Sequence, residues 1–369
     1  MRGLSAFFIA FASFSFAAPG ADLPGLSNDS PALGRKALAV LSKHFADPDP
    51  EVRAAVAALW GEIGNPAAAP ALQRALKDRD VHVRLEAAYS LHRLGHEAGI
   101  AGLEAIVRQG KASGETLTPA EELKLLAKNK ARIRAIQRLS EIGGERAVEL
   151  FERTLRDPSG AVRDATAVAL ARMGLDEFAR QFLDAAAHSD QSVRAAAMQA
   201  LSEIGGGDAL EALQRAASDP SIAVRLEALK GLGRFSDPQA IVLLVRSVKD
   251  EDARIRSKAL GSLAEMTDEG SIPVLRDVLL EHKAPEIQLR ALRGLALRGQ
   301  SVELDLAAAA IRQKDQDLKQ LALQLLRASE SPLSNDLLQE MMEQDPEPRF
   351  RVQAAAILVR RLQKPARKT

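Results

Sequence analysis

The sequence predicts an all-α fold, a solenoid of about ten stacked helical hairpins spanning residues 31–363. Three observations predict it: one unit of about 31 residues recurs along the chain, its apolar positions have helical spacing, and glycine or Asp-Pro punctuation falls at fixed offsets between them. The unit opens with a pattern resembling V-R-x-x-A-A-x-x-L, at Val52-Arg53, Val83-Arg84, Val162-Arg163, Val193-Arg194, Val224-Arg225 and Ile255-Arg256. Weaker copies stand at Ala131-Arg132, Ile287-Gln288, Leu318-Lys319 and Phe350-Arg351. With the Arg position as anchor, successive spacings are 31, 48, 31, 31, 31, 31, 32, 31 and 32 residues.

Each element of the unit has a physical reason. Three residues after the anchor a small side chain recurs, among them Val56, Ala87, Ala135 and Thr166, and seven after it a large apolar one, Trp60 in the first copy and Leu in the others. Offsets of −1, 3, 7 and 10 share one arc of a 3.6-residue helix, so each block is an amphipathic helix with a defined buried face. Eleven residues after the anchor, Gly64, Gly95, Gly143, Gly174, Gly205 and Gly299 occupy the place of a left-handed helix cap. Between these helices lie others, such as 67–77, 145–156 and 209–217, ended by Asp78, Asp157-Pro158 and Asp219-Pro220. Asp caps free amides, and Pro lacks the donor that a continuing helix needs. A lone hairpin cannot bury both apolar flanks, whereas a stack of them forms a continuous core.

The anchor pattern resembles HEAT repeats, in the short bacterial variety related to those of phycobilisome lyases. The resemblance rests on an Asp six residues before the Arg, present as Asp47/Arg53, Asp78/Arg84, Asp157/Arg163, Asp219/Arg225, Asp250/Arg256 and Asp345/Arg351. The pattern departs at Leu126, His188, His282/Gln288 and Gln313/Lys319. The resemblance implies a right-handed α-solenoid, an Asp–Arg ladder between neighbouring repeats, and second helices on the concave face. It says little of function, because these residues are structural and the fold hosts many roles.

Outside the repeats, residues 1–17 read as a signal peptide. Met1-Arg2 gives a short positive start, residues 4–16 are a run of thirteen mostly apolar residues, and Ser15-Phe16-Ala17 puts small residues at the two positions that a signal peptidase reads. Crossing a bilayer takes roughly 20 apolar residues, and Pro19-Gly20 ends this run short of that, so no membrane span is expected after cleavage. Residues 18–30 read as a flexible lead-in and 364–369 as a basic tail. The expected location is therefore periplasmic or secreted.

Composition narrows the partners. Lys plus Arg number 50 against 49 Asp plus Glu, which gives no field to attract nucleic acid, and thirteen aromatic residues offer few stacking platforms. Cysteine is absent, which removes disulfides, thiolate metal sites and Cys nucleophiles. His92 and His96 are four apart but separated by Gly95, so no metal site is expected. The iron-binding His-Glu pairs of the HEAT-like deoxyhypusine hydroxylases are matched here by Leu85-Glu86 and Leu226-Glu227, which lack the imidazole. No catalytic residues, cofactor or nucleotide loop stand out, and the expected partner is a protein or peptide. A lyase-like enzyme or enzyme accessory factor is the alternative; the oligomeric state is open.

Three features mark candidate contact surfaces. Nine residues after the anchor the chain reads Glu62, Arg93, Glu141, Arg172, Glu203, Arg234 and Glu265, alternating in sign. This stripe is either a structural ladder of neighbouring ion pairs or a polar rail for an extended peptide. On the same helices, Leu85, Ile133, Leu226 and Leu289 stand one residue after the anchor, and Tyr89, Gln137, Gln199, Lys230 and Arg293 five after. They form either a groove for a partner or sites of burial against the next repeat. The 48-residue spacing places an insertion at about 109–127 in the third repeat, ending in Thr118-Pro119-Ala120-Glu121, a capping box with Pro at the first helical position. The helix bearing Arg132 is thereby extended about 14 Å at 1.5 Å per residue, with Leu123 and Leu126 either exposed to a partner or tucked in by a bend near Asn129.

Overall fold

A computed structural model describes residues 31–110, 118–266 and 268–363. Residues 1–30, expected as signal and lead-in, residues 111–117 of the expected insertion, residue 267 and the expected tail at 364–369 lie outside the described residues. Every regular element among those described is helical. Ten first helices, α1 (Pro31–His44), α3 (Ala69–Ala75), α5 (Ala98–Val107), α7 (Glu145–Thr154), α9 (Asp176–Ala185), α11 (Gly207–Ala216), α13 (Pro238–Ser247), α15 (Ile272–Glu281), α17 (Asp305–Ile311) and α19 (Pro332–Gln344), form one layer. They alternate with α2 (Pro50–Ile63), α4 (Val81–Arg93), α6 (Pro119–Ile142), α8 (Gly160–Arg172), α10 (Gln191–Ile204), α12 (Ile222–Leu232), α14 (Ala253–Glu265), α16 (Pro285–Leu297), α18 (Gln316–Ala328) and α20 (Pro348–Gln363), which form the second.

Local signals act as the sequence predicts. Asp49, Asp80, Asp190, Asp252 and Asp315 cap second helices through their carboxylates. The six cap glycines all have positive φ, the region where only glycine escapes a Cβ clash. Thr118 and Glu121 form the reciprocal capping box, and α6 then runs unbroken to Ile142.

The anchor arginines sew the turns together. Arg53, Arg84, Arg163, Arg194, Arg225, Arg256 and Arg351 each donate to the backbone carbonyl six residues earlier, at 2.6–2.9 Å. These carbonyls lie at the turn after the preceding helix, so the guanidinium supplies partners that the helix end lacks. Three anchor arginines also reach forward to the next repeat. Arg53 binds Asp78 with two bonds of 2.9 Å, Arg194 binds Asp219 at 2.8 and 2.9 Å, and Arg132 holds Asp157 through both oxygens. Lys319, where the sequence pattern departs, still keeps the rung by binding Asp345.

The stack differs from an open solenoid in that its two ends meet. Helix α20 packs on α1 and α2 just as α4 packs on α5 and α6 and α10 on α11 and α12. One hydrophobic cluster crosses the junction, joining Ala37, Leu41, Val56 and Trp60 to Phe350, Ala354, Ile357 and Leu358. Polar contacts follow: Lys36 Nζ lies 2.7 Å from Glu343, and Glu62 accepts from Arg360 at 2.9 Å and Arg327 at 3.3 Å. At the turn edge, Arg351 approaches His44 Nε2 at 3.5 Å while His44 Nδ1 lies 2.9 Å from Asp47, continuing the ladder across the junction. Trp60 thus fills a junction between first and last repeats rather than an end. The chain is a closed ring, with α2, α4 and the other second helices as its inner wall.

The inner wall bends tightly because small side chains face each other across it. A residue eight after the anchor meets one six after the next anchor: Gly61 meets Ser90, Ser202 meets Gly231, Gly233 meets Ser262 and Ala264 meets Gly294. A Cβ on Gly231 would lie 2.9 Å from Ser202 Cβ and 2.7 Å from Leu213 Cδ2, so only hydrogen fits there. Contact is sparse between α4 and α6, where the equivalent pair is His92 and Arg138, and also between α8 and α10, where it is Ala171 and Ala200.

Candidate functional site on the inner wall

A cavity of about 470 Å³ lies on the inner wall. Five consecutive second helices supply its lining: Glu86 from α4; Arg134, Gln137, Arg138 and Glu141 from α6; Arg172 from α8; Glu203 from α10; and Arg234 from α12. At 100° per residue, offsets of two, five, six and nine from the anchor share one helical face, which explains why these positions converge.

Some of the charges are spent on each other. Arg138 lies 3.2 Å from Glu141 and its guanidinium stacks 4.2 Å from the Tyr89 ring centroid, while the Tyr89 hydroxyl donates to Glu141 at 3.2 Å. Gln137 donates to Glu203 at 3.1 Å, and Arg234 donates to the Ser202 carbonyl at 3.2 Å. Arg134 and Arg172 have no hydrogen-bond or ion-pair partner among the described residues, although both carry exposed guanidinium groups into the cavity. Burial pushes the Glu86 carboxyl above its ordinary range, outweighing the opposing charges of Arg138 and Arg134.

The alternating stripe lies on the inner wall but is not a continuous chain of ion pairs. Glu62 is paired with Arg327 and Arg360 rather than Arg93, and Glu265 reaches Arg293 at 3.7 Å. Arg93 and Arg172 make no ion pair among the described residues. The side chains stand on a wall whose spacing is fixed by apolar and small-residue packing, so the charges need not touch for the ring to close.

The column one residue after the anchor is corrected. Leu85 is 1% exposed and Leu289 0%, and both pack into clusters shared between repeats. Ile133 and Leu226 are half-buried against the same kinds of cluster. The reason is angular: offset one stands about 90° from the lumen-facing positions and so points sideways into the neighbouring helix. These leucines are ring glue and no groove. In the next column Tyr89 and Gln137 are engaged as described, Gln199 and Lys230 are exposed, and Arg293 is half-buried. Glu86, Arg134 and Arg138 were missed in the sequence; their signal was the sharing of a helical face with the offset-nine stripe.

A second surface stands off the ring. The overhanging start of α6 presents Leu123 at 69% and Leu126 at 54% exposure, with Leu125 turned inward and no bend to tuck its neighbours away. A shallower depression of about 420 Å³ between the first two repeats contains Arg53 and Asp78, which are already bound to each other. Among the described residues no group of His, Asp and Glu has the geometry to hold a metal ion, and no helix is long and apolar enough to cross a membrane.

Comparison with known proteins bears on the fold. A search of curated protein sequences finds no match. Among solved structures, the complex of CpcE and CpcF of phycocyanin lyase from Nostoc matches over 71% of this chain and 93% of that one, at 20% identity and a TM-score of 0.37. Human deoxyhypusine hydroxylase matches over 72% and 97%, at 17% identity and a TM-score of 0.34. An archaeal HEAT-like repeats protein from Thermococcus onnurineus matches over 59% and 98%, at 18% identity and a TM-score of 0.34. The family model for HEAT repeats matches residues 36–115, 120–202, 154–223, 177–264 and 210–296, which together span well over half of the sequence. With ten helical hairpins, eight of them anchored by Arg, and that family match, the chain belongs to the HEAT-repeat family.

Proposed function

We propose that the protein is an exported, non-catalytic scaffold that binds a protein or peptide on the inner wall of its ring, with the start of α6 as a second contact. The observation that carries this reading is the overhang of α6, which sets two exposed leucines on a capped, rigid helix whose lower turns line the inner-wall cavity. A fold that leaves leucines uncovered on a capped helix offers a low-entropy anchor for another chain. Polar groups around the cavity would then set orientation. The preformed wall spreads recognition over several repeats, as HEAT repeats generally do.

The test is capture of a stoichiometric partner from envelope extract by the purified ring. Leu123→Glu with Leu126→Glu should abolish capture while leaving the helical circular dichroism and thermal midpoint unchanged, because neither side chain is buried. Capture that survives the double substitution would remove α6 from the interface. Export is tested separately by the N-terminal sequence of the protein recovered from cells, expected to begin after Ala17. A chromophore retained through purification would instead favour a lyase-like role.

A further inference from the structure

We propose that the inner-wall cavity is an oxyanion site, in which Arg134 and Arg172 take the carboxylate of an acidic peptide side chain or of a peptide terminus. This deepens the reading of the inner wall as a binding face by naming the chemistry of the group bound there. The charge balance points to it. The lining holds four arginines and three glutamates, a formal excess of 4 − 3 = +1. Arg138 and Glu141 cancel, and Glu203 is engaged by Gln137, so the two arginines without partners are where the excess is available.

The geometry suits an anion more than a cation. A guanidinium is a planar fork of five donors, matched to the paired oxygens of a carboxylate, and it is weakly hydrated, which lowers the cost of exchanging water for ligand. Concave walls of low dielectric focus the field of such groups. Of the three carboxylates, two already accept hydrogen bonds from Tyr89, Arg138 or Gln137, and Glu86 is the one that burial biases toward its uncharged form. An ammonium group would meet four arginines with little free carboxylate to compensate.

Isothermal titration with three probes tests this: a hexapeptide of glutamates, a hexapeptide of lysines, and inorganic phosphate. The expected result is binding of the glutamate peptide at least ten-fold tighter than the lysine peptide, weakened by salt and competed by phosphate. Arg134→Gln with Arg172→Gln should reduce it ten-fold or more, whereas Arg246→Gln on the outer helix α13 should leave it unchanged. Both arginines are exposed, so the double variant should keep its helical content and melting point. Equal affinity for the two peptides, no binding of the glutamate peptide at millimolar concentration, or affinity unaffected by the double substitution would each overturn the proposal. Phosphate binding that glutamate peptide cannot displace would also overturn it. Because Leu123→Glu with Leu126→Glu leaves the cavity intact, loss of partner capture with retained peptide binding, or the reverse, separates this site from the scaffold reading.

Discussion

The junction between α10 and α12 and the junction between α4 and α6 are built from the same repeat and behave differently. In the first, Ser202 faces Gly231 and the two helices close until a Cβ no longer fits; in the second, His92 and Arg138 occupy the corresponding positions and the helices stand apart. The closed junction leaves no space between its own helices, yet its Glu203 and Arg234 still line the far edge of the cavity, which spans α4 to α12. The open one gives up close packing, and the insertion in the third repeat falls there.

The largest effect expected from breaking this comparison lies in the rungs that hold either kind of junction at its turn edge. Arg132 and Asp157 have side chains 3% and 8% exposed, so Arg132→Met leaves a carboxylate buried without its cation. Chemical denaturation should register a loss of about 3–5 kcal/mol. Arg163→Met, whose exposed guanidinium donates to carbonyls of its own turn, should cost far less. Next in size is overpacking of the closed junction: Gly231→Leu should destabilise by about 1–3 kcal/mol. The matching change at the open junction, Arg138→Leu, should move the thermal midpoint little, because the space is already there.

Acid sharpens the picture of the rungs. Hydrogen bonds from Arg53 and Arg194 hold the Asp78 and Asp219 carboxyls below their ordinary 3.8, against the opposing pull of burial. At Asp157 burial is the largest single influence and raises the value, yet Arg132 and the Ser159 amide bring the balance below 3.8 as well. Depressed folded values mean that these groups add stability above about pH 4, and that it is lost as pH falls through the folded values. Thermal melts at a series of pH values should show this loss, and Asp78→Asn should flatten it. The smallest effect is expected at Glu86. Glu86→Gln removes a carboxyl that burial already biases toward its uncharged form, so glutamate-peptide binding should strengthen only modestly, by up to about five-fold, the equivalent of roughly 0–1 kcal/mol, in the same titration.

Much of this was legible in the sequence. The anchor spacing, the cap glycines and the Thr118 capping box specify local geometry through backbone chemistry alone, and all reappear in the helices. The position of Leu85 was not legible, because an apolar residue at offset one is equally compatible with a groove and with a neighbouring helix, and only the distance between helices decides. Ring closure was hidden for a related reason. It depends on a small rotation at each junction, summed over ten junctions, and no single residue encodes that sum. Its traces, such as Glu62 paired with Arg360 and His44 beside Arg351, join residues about 300 positions apart. Arg172 and Arg234 stood in the alternating stripe, whereas Arg134 and Arg138 escaped notice because the columns read in the sequence lay beside theirs on the helix.

The central claim is that the first and last repeats pack against each other. Since the chain contains no cysteine, Lys36→Cys and Glu343→Cys can be spin-labelled without background, and these positions are 2.7 Å apart between side-chain atoms. Double electron–electron resonance should give one narrow distribution at the short limit of the method, within about 25 Å once label linkers are included. Helices packed about 8–10 Å apart would place the ends of an open ten-repeat stack several tens of ångströms from each other. A broad distribution at such distances would contradict the ring, and with it the wall and the cavity built on it.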